Sequence, residues 1–219
     1  MSQNPKTREL IEAVLRGESP QKNYQQAYEL ALAEVRKTPP AVLERLGVVS
    51  ESPEQLSVAV LGGTFHVDLA AGTVKDGSGQ QVRVAWAILV LHYLLSRPSE
   101  QPEAGYISFM DIPEARGYAK PYQGRVIERF LHTAGRDEAA FRAAAKRLGG
   151  EEIDQADAAY EFAVFPRVRV QLLWYRGDEE ISPGASFLYE KQIVGIFCVE
   201  DIVVMSELLV VGLSEPSAK

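Results

Sequence analysis

The sequence has few of the features that mark disulfide-bonded, metal-cluster or membrane proteins. Its 219 residues include one cysteine, Cys198, so an internal disulfide cannot form and a cysteine-based zinc or iron–sulfur site within the chain is excluded. The longest apolar run, Ala85 to Leu91, is far shorter than the roughly 18 residues of a membrane-spanning helix. The polar start, Met1 to Glu12, does not resemble a signal peptide. We therefore predict a soluble, cytoplasmic protein with no membrane partner.

Positive charge is also scarce. The chain has 23 Lys and Arg against 30 Asp and Glu, which gives a formal net charge of -7 at pH 7. Basic residues form only short local groups, such as Arg142, Lys146 and Arg147. Because a phosphate backbone is attracted by a larger basic patch, we expect no nucleic-acid partner.

Motifs of common catalytic and phosphate-binding sites are missing. The sequence Gly-x-Ser-x-Gly of a nucleophile elbow does not occur. The paired glycines at 62–63 and 149–150 lack the spacing of a phosphate-binding loop. The sequence therefore indicates no cofactor, and it leaves open whether the protein is an enzyme.

The hydrophobic content of 46% is enough for one sizeable core, and much of it recurs at helical spacing. Residues 1–20 predict a helical N-terminal extension, with its apolar face at residues 10–15. A second helix is predicted over residues 24–35. Residues 81–96 are apolar on most faces and predict a central buried helix, and residues 199–213 predict a C-terminal helix with acids in its first turn.

Two other segments alternate between apolar and polar residues, which is typical of antiparallel hairpins. The first spans about residues 55–75 and has Gly62-Gly63 at a tight turn. The second spans residues 168–190. Helices and strands come in groups rather than in strict alternation, so the sequence predicts an α+β fold with a mostly antiparallel sheet, in a single domain over residues 1–219.

Several short motifs in the chain resemble those of a known family. In chain order they are Ile88-Leu89-Val90-Leu91-His92-Tyr93-Leu94-Leu95, Ile107-Ser108-Phe109, Gly117-Tyr118, Leu148-Gly149-Gly150, Phe165-Pro166-Arg167-Val168, Leu172-Leu173-Trp174, Gly177-Asp178-Glu179-Glu180-Ile181, Pro183 and Phe187-Leu188-Tyr189-Glu190. Their type and order resemble the bacterial and archaeal family known as domain of unknown function 3786, over about residues 24–213. Ile181 and Tyr189-Glu190 stand where that family usually has Phe and Phe-Asp. The resemblance implies a setting in anaerobes, in some cases beside iron–sulfur proteins, and it implies no particular reaction.

The acidic triplet Asp178, Glu179 and Glu180 is the most suggestive group of residues. It follows an apolar strand at a predicted turn, and clustered carboxylates can bind Mg²⁺ or Ca²⁺ or act as an acid–base pair. Glu190, on the next strand, could face the triplet across the hairpin. A solvated turn in which Asp178 caps backbone N–H groups explains the same residues.

The histidines suggest a weaker hypothesis. His66 and Asp68 are two residues apart on a predicted strand, so both point to the same side and could begin a metal site. His92 could join them. However, no recognised ligand spacing is present, and the position of His92 within an apolar helix favours a hydrogen-bonded core residue.

Ser108, Tyr118 and Cys198 are further candidates, each with a structural alternative. Ser108 and Tyr118 lie on a loop after a short predicted strand, where binding groups are common but a simple fixed turn is equally compatible. Cys198 precedes the last predicted helix, a position that can lower the pKa of a thiol. Its apolar neighbours instead favour a buried and inert thiol.

Two hypotheses on function follow. The first is a binding or accessory module of anaerobe metabolism, which contacts a protein partner or a small ligand through its hairpin face and acidic turn; its candidate ligand-binding residues are Ser108, Tyr118, Asp178, Glu180 and Glu190. The second is a metal-assisted hydrolase or transferase that uses the acids at 178–190 as ligands or general base. The lack of a catalytic motif favours the first hypothesis.

Overall fold

The structure is a computed structural model that describes residues 20–178, 180 and 182–214. Within this range, seven helices and two antiparallel sheets share one hydrophobic core. The predicted α+β class is confirmed. The predicted apolar face at residues 10–15 lies outside the described residues.

Seven helices of the described residues contribute to this core. They are α1 (Pro20–Val35), α2 (Pro40–Arg45), α3 (Val84–Leu95), α4 (119–132, with a π-helical segment at Gln123–Glu128), α5 (Glu138–Arg147), α6 (Ile193–Ile196) and α7 (Val199–Ser214). The predicted central helix is confirmed as α3, whose middle residues are fully buried because α1 and α7 pack against it and Tyr93 stacks on Phe165 of the second sheet. No helix among the described residues has the length and apolar character needed to cross a membrane.

The strands form two sheets. The first has the order β1-β2-β3-β4, with β1 (Val49–Ser52), β2 (Gln55–Val60), β3 (Gly63–Asp68) and β4 (Thr73–Lys75). The second has the order β5-β9-β8-β7-β6, with β5 (Tyr106–Ser108), β6 (Glu151–Glu152), β7 (Ala158–Phe165), β8 (Val168–Tyr175) and β9 (Gly184–Glu190). Both predicted hairpins exist, but they belong to different sheets: the first pairs with β1 and β4, and the second pairs with β7 on one side and with the distant β5 on the other. The expected single sheet is therefore divided into two.

The turn of the first hairpin is one residue earlier than predicted. Leu61 and Gly62 have positive φ angles of 49° and 75°, whereas Gly63 already pairs with Val60 as the first residue of β3. A two-residue turn of this kind needs positive φ at both central positions. Leu61 therefore adopts a left-handed conformation at a cost of about 1–2 kcal/mol, because the pairing of the strands fixes the register.

Three contacts fix the C-terminal end of α3. The ring of Tyr93 stacks on Phe165 at the end of β7, with 4.5 Å between ring centroids. The Tyr93 hydroxyl donates a hydrogen bond to the Leu46 carbonyl at 2.6 Å. Ser96, the residue after α3, donates its hydroxyl to the Tyr93 carbonyl at 2.7 Å. The position of His92, one residue before Tyr93, is set by this anchored end.

Candidate functional site

Two members of the predicted acidic triplet, Asp178 and Glu180, lie between β8 and β9; we call these two residues the acidic bend. Asp178 and Glu180 are exposed there. Oδ1 of Asp178 accepts a hydrogen bond from the Glu180 backbone N–H at 2.8 Å. Glu179 lies outside the described residues. Asp178 thus provides the local capping that the turn interpretation predicts.

Glu190 does not face the acidic bend. Tyr175 pairs with Gly184 next to the bend, whereas Val170 pairs with Tyr189 at the other end of the hairpin. Glu190 is six residues beyond Gly184, which corresponds to about 20 Å along an extended strand. Its Oε2 accepts the backbone N–H of Arg169 at 2.9 Å. The expected convergence of Glu190 with the triplet is therefore wrong, because strand pairing carries it to the far end of β9.

The outer face of the second sheet holds the polar side chains around Glu190. The Glu161 carboxylate accepts hydrogen bonds from the Tyr106 hydroxyl, from the Gln171 amide at 3.0 Å and from Arg169 at 3.1 Å. Because β9 and β8 lie between β5 and β7, the bond from Tyr106 crosses two strands. Ser108, on the same side of β5, donates its hydroxyl to Asp111 at 2.7 Å. These polar groups are engaged mainly with one another.

The predicted histidine cluster is not assembled. His66 Nδ1 lies 2.9 Å from Ser57 Oγ, and the Ser57 hydroxyl donates to Glu51 at 2.6 Å. Asp68 accepts the backbone N–H of Ala71 at 2.8 Å, while His92 contacts a different element. In the part of the chain that the structure describes, no three His, Cys, Asp or Glu side chains are arranged to hold a metal ion.

The structure instead assembles ionisable groups that the sequence analysis treated separately. They come from α1, from α3, from α4 and the turn before it, and from residues 198–207, which include the first half of α7. We call this group the junction site; it consists of Tyr24, His92, Tyr118, Arg125, Cys198, Glu200, Asp201 and Glu207. Of the residues first proposed as ligand-binding, Tyr118 belongs to it.

Asp201 is the centre of the junction site. His92 Nδ1 lies 2.9 Å from both carboxylate oxygens of Asp201, a contact between residues 109 positions apart. The Cys198 thiol donates to Oδ2 of the same carboxylate at 3.2 Å. The Asp201 side chain is 11% exposed and the His92 side chain 34%. The carboxylate therefore holds the imidazole by one nitrogen, while about a third of the His92 side chain stays exposed.

The surroundings set the protonation of His92 and Cys198. Burial acts to lower the pKa of His92, but the charge and the hydrogen bond of Asp201 outweigh it and raise that pKa above its usual value. Desolvation and the Asp201 carboxylate raise the pKa of the Cys198 thiol well above its usual value. Cys198 is exposed as a residue, which differs from the expected burial, but its thiol is desolvated and held protonated, as expected of an inert thiol.

Arg125 connects two acids of α7 beside this centre. Its Nε and Nη2 donate to the two oxygens of Glu207 at 3.0 and 2.7 Å, and its Nη1 donates to Glu200 at 3.1 Å. The bond to Glu207 raises the pKa of Arg125, while desolvation raises the pKa of Glu200 against the effect of Arg125. This bidentate clamp fixes the guanidinium in one orientation.

Two tyrosines complete the rim of the junction site. Burial raises the pKa of Tyr24 and of Tyr118, and the negative charge of Glu200 adds to both shifts. Tyr118 is also within electrostatic reach of Cys198. Both phenols are therefore neutral hydroxyl groups at physiological pH, able to donate or accept a hydrogen bond.

Two surface depressions, of about 310 and 330 Å³, lie away from the junction site. The first borders Arg142 and Asp157, and the second lies between α1, α2 and the first sheet, next to Val35 and Leu43. No residue of the junction site lines either depression. The ionisable groups of the junction site thus lie outside both depressions.

Comparison with protein-family models matches residues 38–211 to the family described as Domain of unknown function (DUF3786). Comparisons with curated proteins and with solved structures give no match. The matched range contains every member of the junction site except Tyr24. Because the family model covers most of the chain, this protein belongs to the DUF3786 family.

Proposed function

We propose that the protein is a binding module that holds a small ligand at the junction site, with His92 as the group that contacts the ligand. One observation carries this proposal: Asp201 holds Nδ1 of His92, whose side chain is still 34% exposed. Burying the Asp201 carboxylate costs free energy because the charge leaves water. A role in orienting a functional imidazole explains why a carboxylate stands at this position despite that cost. The proposal includes an accessory role in cytoplasmic anaerobe metabolism, which the family resemblance implies.

The electrostatics of the junction site restrict the type of ligand. The junction site holds three carboxylates: those of Glu200 and Glu207 bond to the Arg125 guanidinium, and that of Asp201 bonds to His92. The two tyrosine hydroxyls on the rim add no charge. Carboxylates thus outnumber the fixed positive charge, which favours a neutral or cationic ligand over an anionic one.

The geometry gives less support to a metal-assisted hydrolase or transferase at the acidic bend. Such a reaction requires carboxylates that converge on one or two ions. Glu190 lies about 20 Å of strand away from the bend, and Oδ1 of Asp178 accepts a backbone hydrogen bond. The outer sheet face is also a weaker candidate, because its polar groups already bond to one another.

Native mass spectrometry can test the proposed function. The purified protein is incubated with a small-molecule extract of its host, and the wild type is compared with His92→Gln and His132→Gln. We expect a small-molecule adduct on the wild type and on His132→Gln, with at least about tenfold less on His92→Gln, since loss of a key hydrogen-bonding or ligating group costs about 1.4 kcal/mol or more. Melting curves check that both variants fold. No adduct, or an equal adduct on His92→Gln, would contradict the proposal.

A further inference from the structure

We propose that the ligand of the junction site is a transition-metal complex with an open coordination position, and that Nε2 of His92 fills this position. The inference rests on the proposed function and names the class of its ligand. It depends on the geometry around one imidazole.

The hydrogen bond to Asp201 fixes which nitrogen of His92 is available. Both oxygens of the carboxylate lie 2.9 Å from Nδ1, so Nδ1 carries the hydrogen and Nε2 carries the lone pair in the neutral ring. Metal-binding histidines in proteins show this arrangement, in which a carboxylate accepts from the second nitrogen. The carboxylate orients the ring and makes the ligating nitrogen more basic.

Cys198 strengthens this arrangement from the other side. Its thiol donates to Oδ2 of Asp201 at 3.2 Å, so the carboxylate is held by two side chains. The sulfur and the carboxylate oxygens are thereby committed to hydrogen bonds within the site. Nε2 of His92 is consequently the donor atom that this trio offers to a metal.

A metal bound through one imidazole takes its remaining ligands from elsewhere. Transition metals in proteins have four to six ligands, so the metal arrives with most of its coordination sphere already filled. Tyr24 and Tyr118 offer aromatic and hydroxyl surface for the organic part of such a complex. The carboxylates of the junction site, Glu200, Asp201 and Glu207, outnumber its guanidinium, and this balance complements a cationic metal centre.

The chain contains its own controls for this inference. His66 is exposed and its Nδ1 is bonded to a hydroxyl, that of Ser57, at 2.9 Å. His132 is exposed at the end of α4. His92 alone of these three histidines is held by a carboxylate. If the carboxylate creates the metal preference, His92 must bind a metal complex more tightly than the two more exposed rings.

Copper(II) iminodiacetate, a chelate with open coordination positions, serves as the probe. The protein is labelled with ¹⁵N and ¹³C, and paramagnetic broadening of each histidine ring is followed by NMR at about pH 8, where imidazoles are mostly neutral. We expect the His92 signals to broaden at about tenfold or more lower chelate concentration than those of His66 and His132. In Asp201→Asn this preference falls to within about twofold. Equal broadening of all three histidines in the wild type, or an unchanged preference in Asp201→Asn, overturns the inference.

The order in which the three histidines of the wild type broaden is measured without any variant. It therefore tests the inference even if Asp201→Asn fails to fold. Elemental analysis of the ligand captured from the host extract separates the two proposals. A ligand that depends on His92 but contains no metal overturns this inference and leaves the proposed function intact. A chelate preference for His92 without any captured ligand removes the proposed function instead.

Discussion

The junction site and the acidic bend each draw carboxylates from a short stretch of sequence, yet they differ in every physical respect. Asp201 is nearly buried and bonds to a residue 109 positions away, whereas Asp178 is exposed and caps a backbone N–H two positions away. Water screens an exposed charge, so its interactions contribute little to folding or binding. The comparison shows that partners and burial, rather than the density of acids in the sequence, distinguish a site from a solvated turn.

Replacement of the central carboxylate should have the largest effect. Asp201→Asn puts an amide where two donors, His92 and Cys198, need an acceptor. We expect the free energy of unfolding to fall by about 1–3 kcal/mol, because a poorly satisfied polar group remains in a desolvated place. The matched control, Asp178→Asn, retains an oxygen that can cap Glu180 and should change stability by less than about 0.5 kcal/mol.

Chemical denaturation monitored by tryptophan fluorescence measures both variants. Trp174 is buried and its indole N–H donates to the Gly135 carbonyl at 2.8 Å, so its emission should respond to unfolding of the common core. Equal stability losses in the two variants would abolish the distinction between the junction site and the acidic bend.

The Arg125 clamp should give the second largest effect. Arg125→Met removes the partner of Glu200 and Glu207 and leaves two half-buried carboxylates close together. We expect the free energy of unfolding to fall by about 1–2 kcal/mol; the effect is limited because one third of the Arg125 side chain is exposed.

Arg45→Met is the control. Arg45 pairs with Glu100 at 3.6 Å, and the two side chains are 68% and 88% exposed. Loss of this pair should cost less than about 0.5 kcal/mol. Adding Glu207→Gln to Arg125→Met should recover part of the loss; no recovery would contradict the clamp.

Most of the fold can be predicted from local patterns, and α3 shows why. Its apolar run from Ala85 to Leu91 and the break at Arg97-Pro98 lie next to each other in the sequence, so a short window contains all the information. The division into two sheets is harder to predict from the sequence. It depends on which strands pair, and the backbone bond from Leu61 to Val164 that connects the two sheets spans about a hundred residues.

The junction site could not be predicted for the same reason. Glu200 and Asp201 were assigned to the helix dipole, which is correct for their place in the first turn of α7. His92 is hydrogen-bonded as expected, but it is partly exposed rather than a core residue. A polar residue that interrupts the apolar run of α3 was the available signal. Its partner is given by tertiary packing, so no local pattern identifies it.

Stability should depend on pH through His92, with an effect smaller than the loss of the clamp. Asp201 raises the pKa of the folded imidazole above that of the unfolded chain, about 6.5. The added stability is therefore full below about pH 6.5 and is lost as pH rises through the folded pKa. His92→Gln should lose more stability near pH 5.5 than near pH 8.5. The raised pKa of Glu200 also makes the protein less stable as pH rises. Because Glu200 is present in both the wild type and His92→Gln, its contribution cancels when the two are compared.

Urea unfolding of the wild type and His92→Gln at both pH values measures this difference. His66→Gln is the control, since that ring bonds to a hydroxyl rather than to a buried carboxylate. A loss that is equal at the two pH values, or larger at the higher one, would show that Asp201 does not stabilise the imidazolium.

The smallest effect should appear in the reactivity of Cys198. Cys198 is exposed as a residue, but desolvation of its thiol and the Asp201 carboxylate raise the pKa of the thiol and suppress the thiolate that reacts with alkylating agents. Asp201→Asn removes the negative charge, so alkylation by iodoacetamide should become several times faster. Because His92→Gln keeps the carboxylate, it should remain as slow as the wild type even if it is less stable, and Asp178→Asn should have no effect. If alkylation of Cys198 became equally fast in His92→Gln, the charge of Asp201 would not be the cause. Local opening at the start of α7 would explain the reactivity instead.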